Sequence, residues 1–146
     1  NTLAPLGRVC GDENGNSRPN DPITRAEFCV IALAFAYEPD NAVCYFSDVS
    51  RSDWFYTYVA QAASYGWIGG YTNGNFGPND RITRAQVTTI VNNMLGRAAD
   101  RDYVIDHQAD LVQFTDLTRA HWGYFQIMEA TNAHDYTKSN GTENWR

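Results

Sequence analysis

A segment of 17 residues occurs twice in this chain, and this repeat constrains the fold more than any other feature of the sequence. Residues 11–27 read GDENGNSRPNDPITRAE and residues 70–86 read GYTNGNFGPNDRITRAQ, with 11 identical positions at a fixed offset of 59. A second pair of similar segments is FSDVSRSDW at 46–54 and FTDLTRAHW at 114–122. Self-similarity of this kind indicates a fold assembled from copies of one supersecondary unit.

The two pairs of segments define a front half and a back half of one repeat. FSDV…W begins the front half, G…NGN…P…ITRA marks the back half, and one complete unit runs from about Phe46 to Arg97. Residues 3, 4 and 7 align with residues 62, 63 and 66, so the chain is expected to begin in the last turn of an earlier front-half helix, with that first long helix missing. The predicted single module spans 1–146 as the back half of repeat 1 (1–45), the full repeat 2 (46–97), a connecting loop (98–113) and the front half of repeat 3 with a tail (114–146).

Both halves carry the spacing of amphipathic helices. Apolar residues after the ITRA segments recur at i, i+3, i+4 and i+7, which predicts one helix after Thr24 and another after Thr83. The apolar positions are Phe28, Ile31, Ala32 and Phe35 in the first helix, and Val87, Ile90, Val91 and Met94 in the second. The front halves are expected to form longer helices that begin at the N-cap residues Ser50 and Thr118. The tail from residue 135 shows no clear period.

Composition and charge exclude several classes of function. Because 11 Lys and Arg stand against 17 Asp and Glu, the formal net charge is −6, and the chain lacks the basic surface that binds nucleic acid. Apolar residues form 43% of the chain, which is too many for a disordered protein. No apolar run approaches the roughly 18 residues of a membrane span. We therefore expect neither a nucleic acid nor a membrane as a partner.

No residue pattern predicts catalysis, a cofactor or a metal site. No Ser/His/Asp set has a recognisable spacing, and no pair of carboxylates is placed across a predicted cleft, so the chain is not expected to be an enzyme. We assign no such role to the scattered histidines, which are His107, His121 and His134. The cysteines lack a CxxC spacing, Cys29 is expected in the core, and a disulfide between Cys10 and Cys44 is left open.

Local helix chemistry explains most of the ITRAE and ITRAQ segments, but not their arginines. Thr-x-x-Glu at 24–27 and Thr-x-x-Gln at 83–86 have the spacing of capping boxes, which satisfy the first amides of a helix. Arg25 and Arg84 follow at N1, where a cation opposes the helix dipole by roughly 0.3–1 kcal/mol. Either a nearby carboxylate pairs with each arginine, or the arginine and the helix amides receive an anionic ligand. The candidate carboxylates are Asp48 and Asp116.

The combined pattern in 46–86, FSDV…W…GWIGGYTNGNFGPNDRITRAQ, resembles an S-layer homology repeat, and ITRAE at 23–27 is similar to that family's TRAE signature. The resemblance covers almost the whole chain. It implies an all-α, pseudo-threefold helical module with long connecting loops, in which long helices lie at the centre and shorter TRAE-started helices outside. It also implies an extracellular location at the cell wall. The implied function is non-catalytic anchoring through secondary cell-wall polysaccharide, often with pyruvylated amino sugar, bound in grooves between the repeats.

The same resemblance assigns roles to residues. Arg25 and Arg84 would meet the carboxylate of the ligand, and Thr24 and Thr83 would cap their helices and border the grooves. The remaining groove residues would be Asp48, Asp116, Trp54 and Trp122 in the walls, with Trp67, Gly70 and Tyr71 in the bordering turn. Aromatic faces suit sugar rings, because the C–H faces of sugars are apolar. The alternatives without a ligand are that both wall tryptophans belong to the core and that both aspartates satisfy turn or helix-end amides.

The chain departs from the family pattern in ways that limit the expected sites. Gln86 replaces the glutamate of the signature, Arg8 stands where the full repeat has Trp67, and no TRAE segment follows the last front half. At most two family-like sites are therefore expected. Another polypeptide or self-association would fill the slot of the first long helix. The rival function is a structural or protein-interaction module that assembles a surface layer or filament.

Overall fold

Two packed pairs of helices organise the chain. The structure, a computed structural model, describes residues 20–36 and 41–146. Its elements there are α1 (Arg25–Leu33), α2 (Tyr56–Ser64), α3 (Arg84–Leu95), α4 (Arg101–Asp106), α5 (Tyr124–Thr131), β1 (Tyr136–Ser139) and β2 (Thr142–Trp145). The first unit ends at Ile82 and the second runs from Thr83 to Arg146. The predicted helix remnant at residues 3–7 lies outside the described residues.

Each unit combines the ITRA helix of one repeat with the front-half helix of the next. In the first unit α1 packs against α2, and in the second unit α3 packs against α5. The sequence repeat therefore does not coincide with the unit of packing, because the back half of a repeat buries its apolar face against a helix that follows it in the chain. The predicted pseudo-threefold arrangement stays a prediction.

The start of α1 follows the predicted capping box. The Glu27 N–H donates to Thr24 Oγ1 at 3.2 Å, and the Thr24 N–H donates to Glu27 Oε2 at 2.8 Å. Cys29 lies on the buried face of the helix together with Ala26, Ala32 and Leu33, so its predicted place in the core is confirmed. Burial raises the pKa of the Cys29 thiol to about 12, with the charge of Arg25 acting in the opposite direction.

The remaining cysteines and the end of α1 differ in part from expectation. Cys44 is half-buried and its thiol is free, and its backbone N–H donates to the Tyr56 hydroxyl at 3.2 Å. Cys10 lies outside the described residues. Phe35 falls beyond the end of α1 and is exposed, although the i, i+7 spacing placed it on the apolar stripe.

The front-half helices begin later than predicted. α2 starts at Tyr56 and α5 at Tyr124, so the assignment of Ser50 and Thr118 as N-caps was wrong. In the first copy the Ser50 N–H donates to Asp53 Oδ2 at 2.7 Å, and the Asp53 N–H donates back to the Ser50 carbonyl at 2.9 Å. The Tyr56 N–H then donates to the Asp53 carbonyl at 3.0 Å, so the chain passes through two consecutive turns before α2 begins. The described front-half helices therefore have only 9 and 8 residues.

The second unit adds a short helix where a loop was predicted. α3 begins at a second capping box, formed by Thr83 and Gln86, and ends at Gly96 with φ 63°. α4 follows inside the predicted 98–113 loop, which corrects that prediction, and its N-cap Asp100 accepts from the Tyr103 N–H at 3.0 Å. Among the described residues α3 is the longest helix, with 12 residues, and none of the helices there has the length and apolarity to cross a membrane.

The tail forms an antiparallel hairpin that the sequence analysis did not predict. β1 and β2 pair with Tyr136 opposite Trp145, and the turn between them is Asn140 (φ 52°) and Gly141 (φ 81°). Asn-Gly is the residue pair that favours a tight hairpin turn. Only Glu143 and Trp145 of the two strands are buried, so no alternating apolar pattern was present to reveal them. The described residues thus contain a β element beside the expected helices. The core behind the hairpin consists of Val104, Tyr124, Met128 and Trp145.

Candidate functional site

Arg25 is a buried side chain that holds both ends of residues 69–77, named here the 69–77 loop. Its Nε donates to the Phe76 carbonyl at 2.9 Å and its Nη2 donates to the Gly69 carbonyl at 2.8 Å. The guanidinium carbon lies 4.8 Å from the centre of the Tyr71 ring and 4.7 Å from that of Phe76. Only 2% of the residue is exposed. Arg25 therefore binds backbone carbonyls and aromatic faces of its own unit.

Asp48 holds the same loop from its amide side. The Phe76 N–H donates to Asp48 Oδ1 at 2.7 Å, and the Gly77 N–H donates to Oδ2 at 2.8 Å. Desolvation acts to raise the pKa of Asp48, but these two amides, a hydrogen bond to its own backbone N–H and the nearby charge of Arg25 outweigh it, so the pKa lies below its ordinary value. Asp48 thus satisfies turn amides, as the alternative without a ligand proposed. The Phe76 residue links the two charged groups, since it donates to Asp48 and accepts from Arg25.

The first amides of α1 are used within the first unit. The Arg25 N–H donates to the Asp80 carbonyl at 2.9 Å, and the Ala26 N–H donates to the Pro78 carbonyl at 3.1 Å. The Glu27 N–H is taken by Thr24 in the capping box. The N-terminus of α1 therefore has none of its first three amides left for an anion. Thr24 also forms an isolated antiparallel bridge with Arg81.

The predicted turn residues of the first unit, Trp67, Gly70 and Tyr71, lie on the 69–77 loop or just before it. An added Cβ at Gly70 would lie 2.5 Å from Phe46 Cε1, so only glycine fits this close approach. Tyr71 is 39% exposed, and its hydroxyl donates to Asp80 Oδ2 at 2.9 Å. Trp67 is half-buried, with its ring centre 4.9 Å from that of Tyr65. The structure thus brings Gly70 and Tyr71 together with Arg25 and Asp48.

Arg84 occupies the equivalent position of the second unit but has different surroundings. It is exposed at the first position of α3. Among the described residues no carboxylate lies within ion-pair distance of its guanidinium, and no acceptor is bonded to the Arg84 or Ala85 N–H. The Gln86 N–H is taken by Thr83 Oγ1 at 3.2 Å. The second unit therefore presents an unpaired arginine beside two unused helix amides.

The wall residues are exposed in both copies. Trp54 and Trp122 are each 63% exposed, so the alternative that placed them in the core was wrong. Both precede a helix instead of lying within it, and their rings rest on the neighbouring Phe55 and His121. Asp116 is exposed as well, and no hydrogen bond or ion pair joins its side chain to another described residue.

A cluster that the sequence analysis did not predict lies inside the second unit. Glu129 on α5, His134 after it and Glu143 on β2 have side chains that are 2%, 5% and 0% exposed. His134 Nε2 lies 3.6 Å from Oε2 of each glutamate. Arg97 bonds the other oxygens, with Nη2 2.8 Å from Glu129 Oε1 and Nε 2.8 Å from Glu143 Oε1.

This cluster was missed because its members come from different elements. Glu129 and His134 are separated by the end of α5, and Glu143 lies in the hairpin that the sequence analysis left as an aperiodic tail. The signal present in the sequence was the Asn-Gly pair at 140–141, which favours a tight hairpin turn directly before TENW. Once the hairpin is recognised, the alternation in β2 places Glu143 and Trp145 on the same face.

Comparison with known proteins identifies the same family as the motifs. The family model for the S-layer homology domain matches residues 1–29 and 45–88, together half of the chain. The surface-layer 125 kDa protein of Lysinibacillus sphaericus is 28% identical over 98% of this chain. The cellulosome-anchoring protein of Acetivibrio thermocellus is 29% identical over 91% of it. An amylopullulanase of Thermoanaerobacterium thermosulfurigenes is 36% identical over 64%.

The matches cover only a small part of each relative. The aligned region is 12% of the surface-layer protein, 30% of the cellulosome-anchoring protein and 5% of the amylopullulanase. The chain is therefore similar to one segment of long proteins whose names describe different activities. What these proteins share with it is the segment itself.

Proposed function

Since this chain belongs to the S-layer homology family and is a cell-surface anchoring module, we propose that it attaches the protein that carries it by binding secondary cell-wall polysaccharide. The ligand group that we propose for recognition is a carboxylate, such as that of a pyruvylated amino sugar. The module itself is proposed to be non-catalytic. The relative named as an amylopullulanase matches it over only 5% of that protein's length, which leaves ample chain for a separate catalytic domain.

The exposed Arg84 is the observation that carries this proposal. A guanidinium can donate two parallel hydrogen bonds to a carboxylate, and the first amides of a helix add further donors of positive character. At α3 the arginine is unpaired among the described residues, and the Arg84 and Ala85 amides are unused. Thr83 completes the capping box and so fixes where these donors lie. We therefore propose Arg84 as the contact for the ligand carboxylate in the second unit.

The proposed part of Arg25 differs, because its guanidinium already binds two carbonyls. By holding Gly69 and Phe76, Arg25 keeps the 69–77 loop in the conformation that exposes Tyr71. We propose that Arg25 and Asp48 support a first groove edge, on which Tyr71 offers an aromatic face to a sugar ring. Direct contact between Arg25 and a ligand carboxylate stays a prediction, and the experiment below distinguishes the two roles.

The experiment is co-sedimentation of the chain with purified cell-wall sacculi, with and without removal of the secondary polysaccharide. We expect binding that disappears on removal. Arg84→Ala is expected to abolish binding without changing the melting temperature, because the side chain has no protein partner among the described residues. Arg119→Ala, which alters another exposed arginine of the second unit, is the matched control and should leave both unchanged.

The outcomes separate the proposal from its rival. If a folded Arg84→Ala variant binds sacculi like the unaltered chain, the assignment of Arg84 is overturned. Loss of binding by an Arg25→Ala variant with unchanged melting would show direct contact by Arg25. A folded chain that binds no sacculi would contradict polysaccharide binding and favour a module for assembly with other polypeptides or with itself.

A further inference from the structure

The buried Glu129, His134 and Glu143 direct three ligand atoms at one point. One ligand atom from each of the three side chains lies within 4.8 Å of the other two, and His134 Nε2 is 3.6 Å from Oε2 of each glutamate. Neither Oε2 atom has a hydrogen-bond partner, although both are buried. Unpartnered carboxylate oxygens in the interior are costly unless a cation compensates them. This point in the second unit is therefore short of positive charge on the side of the two Oε2 atoms.

The hydrogen bonds of His134 leave its ligand nitrogen unprotonated. Nδ1 lies 2.8 Å from the Asn132 carbonyl, which accepts only, so the ring proton resides on Nδ1. Arg97 Nη2, which can only donate, lies 2.9 Å from Nε2, so Nε2 accepts this bond and offers a lone pair. In metal-binding sites the ring nitrogen that does not bind the metal commonly donates its N–H to a backbone carbonyl, which fixes the ring and the tautomer. Trp145 stacks on the ring at 3.6 Å and fixes it further.

Arg97 compensates the glutamates only in part. Its three polar side-chain contacts fall on the two Oε1 atoms and on His134 Nε2, and none falls on an Oε2 atom. Burial and the charge of Glu143 raise the pKa of Glu129, while the charges of His134 and Arg97 and a side-chain hydrogen bond from Trp145 act in the opposite direction. Lys138 is 3.9 Å from Glu143 Oε1, but its side chain is 42% exposed and its main bond is to the Gly96 carbonyl at 2.6 Å. The two carboxylates thus retain capacity for a further cation.

We propose that Glu129, His134 and Glu143 form a binding site for a divalent transition-metal ion, with Zn²⁺ as the best fit. Bond lengths of about 2.0–2.2 Å in a tetrahedron place neighbouring ligand atoms about 3.4 Å apart. The 3.6 Å separations from Nε2 to both Oε2 atoms are close to this value. A single imidazole with two carboxylate oxygens suits Zn²⁺, whereas Ca²⁺ takes six to eight oxygen ligands.

Metal binding requires one rearrangement, which gives the proposal a distinctive signature. The ion takes the lone pair of His134 Nε2, so Arg97 Nη2 gives up that contact and keeps its bond to Glu129 Oε1. The guanidinium then remains as an outer cation that weakens the site. Removing its charge should therefore strengthen binding, although Arg97 would stabilise a cluster without metal. The side chain of Arg97 is 27% exposed, so it can move toward solvent.

The first test is titration of the EDTA-treated chain with ZnCl₂ by calorimetry, with Co²⁺ absorption as a report on tetrahedral geometry. We expect one ion per chain and a rise in melting temperature with Zn²⁺. Glu143→Gln keeps an acceptor for Arg97 but removes a ligand charge, and it should weaken binding by more than about 100-fold, since even outer-shell changes cost 10–100-fold. Asp110→Asn, in an exposed carboxylate of the same unit, is the matched control and should bind Zn²⁺ unchanged.

Arg97→Gln separates a metal site from an internal ion-pair network. For a metal site, this variant should bind Zn²⁺ at least about tenfold more tightly, because a like charge near the ion is removed. Its melting temperature should fall without metal and recover with it. Cys44→Ser should bind as the unaltered chain does, which excludes the half-buried thiol as the ligand. Absence of Zn²⁺ binding by the folded chain, or equal binding by Glu143→Gln, would overturn the proposal.

Discussion

Arg25 and Arg84 occupy the same position of their repeats but have different surroundings. Arg25 is buried because the 69–77 loop follows the helix that α1 packs against, and the loop offers it two carbonyls and two aromatic rings. The β1–β2 hairpin follows the corresponding helix of the second unit, and its Glu143 bonds Arg97 instead. The same residue in similar local sequence therefore acquires different environments from the segments that come later in the chain.

Arg25→Ala is expected to destabilise the first unit by about 3 kcal/mol. The substitution leaves the Phe76 and Gly69 carbonyls without their charged donor, and such bonds contribute roughly 1.5–3 kcal/mol each. Urea unfolding followed by circular dichroism measures the change. Arg51→Ala, in an exposed arginine of the same unit, should shift the midpoint by less than about 0.5 kcal/mol. Equal stability of the two variants would show that Arg25 does not hold the loop.

Asp48→Asn should change how stability depends on pH. Because the pKa of Asp48 is lowered in the folded state, the charged form stabilises the fold above the ordinary value of 3.8, and this contribution is lost as the pH falls through the lowered value. Melting temperatures between neutral and acidic pH should therefore fall less steeply in the variant, from a lower starting point. Asp116→Asn, at the equivalent position without a described partner, should follow the unaltered chain. Parallel curves for Asp48→Asn and the unaltered chain would contradict this assignment.

At the scale of the elements, features encoded by neighbouring residues could be predicted from the sequence. Both capping boxes were predicted correctly, because each depends on two residues within one helical turn: Thr24 with Glu27, and Thr83 with Gln86. The start of α2 at Tyr56 could not be predicted, because the segment before it forms two consecutive turns, Ser50–Asp53 and Asp53–Tyr56, instead of the first turn of the helix. The helix spacing located α1, but the sequence did not reveal that Phe35 would fall beyond its end.

The hairpin shows the other limit of sequence reasoning. Its strands bury only Glu143 and Trp145, so the sequence contains no alternation of apolar and polar residues that would indicate a strand. Asn140 and Gly141 nevertheless indicate a tight turn. The groove residues that family resemblance supplied are likewise placed by tertiary contacts. No local pattern foretells that Arg25 would face the carbonyls of residues 69 and 76.

Gly141→Ala tests the hairpin turn. Gly141 has φ 81°, where an L-residue is strained by about 1–2 kcal/mol, and an added Cβ meets nothing within 4 Å, so the cost comes from the backbone alone. Thermal unfolding should show a loss of that size. Gly69→Ala is the control, because its Cβ also meets nothing and its φ lies outside the left-handed region. Comparable melting of both variants would argue against this turn.

At the scale of the whole molecule, the repeat predicts the family and the approximate order of its halves, but the division between the two packing units, between Ile82 and Thr83, falls inside the second repeat. This follows from helix amphipathicity, since α1 and α3 each need an apolar partner that their own half does not provide. The order of segments is thus readable from the sequence, whereas the choice of partner depends on packing across the chain.

The net charge of −6 makes a prediction about the proposed wall binding. An acidic module is not steered toward an anionic polymer, so attraction must be local to Arg84. Raising the salt from about 0.1 M to about 1 M shortens the screening length from about 10 Å to about 3 Å, and we expect less than about a tenfold loss of affinity for sacculi. Removal of the ligand carboxylate should abolish binding, and retained binding after its removal would contradict the model.

The buried thiol of Cys29 allows the opening of the first unit to be measured. Alkylating reagents react with the thiolate. Cys29 is 1% exposed and its pKa is about 12, so almost no accessible thiolate is present while α1 is packed on α2. In a chain whose other two cysteines are replaced by serine, the rate of Cys29 alkylation therefore reports how often α1 separates from α2. A cell-wall fragment that binds this unit would lower the rate of Cys29 alkylation, so its binding can be followed at neutral pH without denaturant.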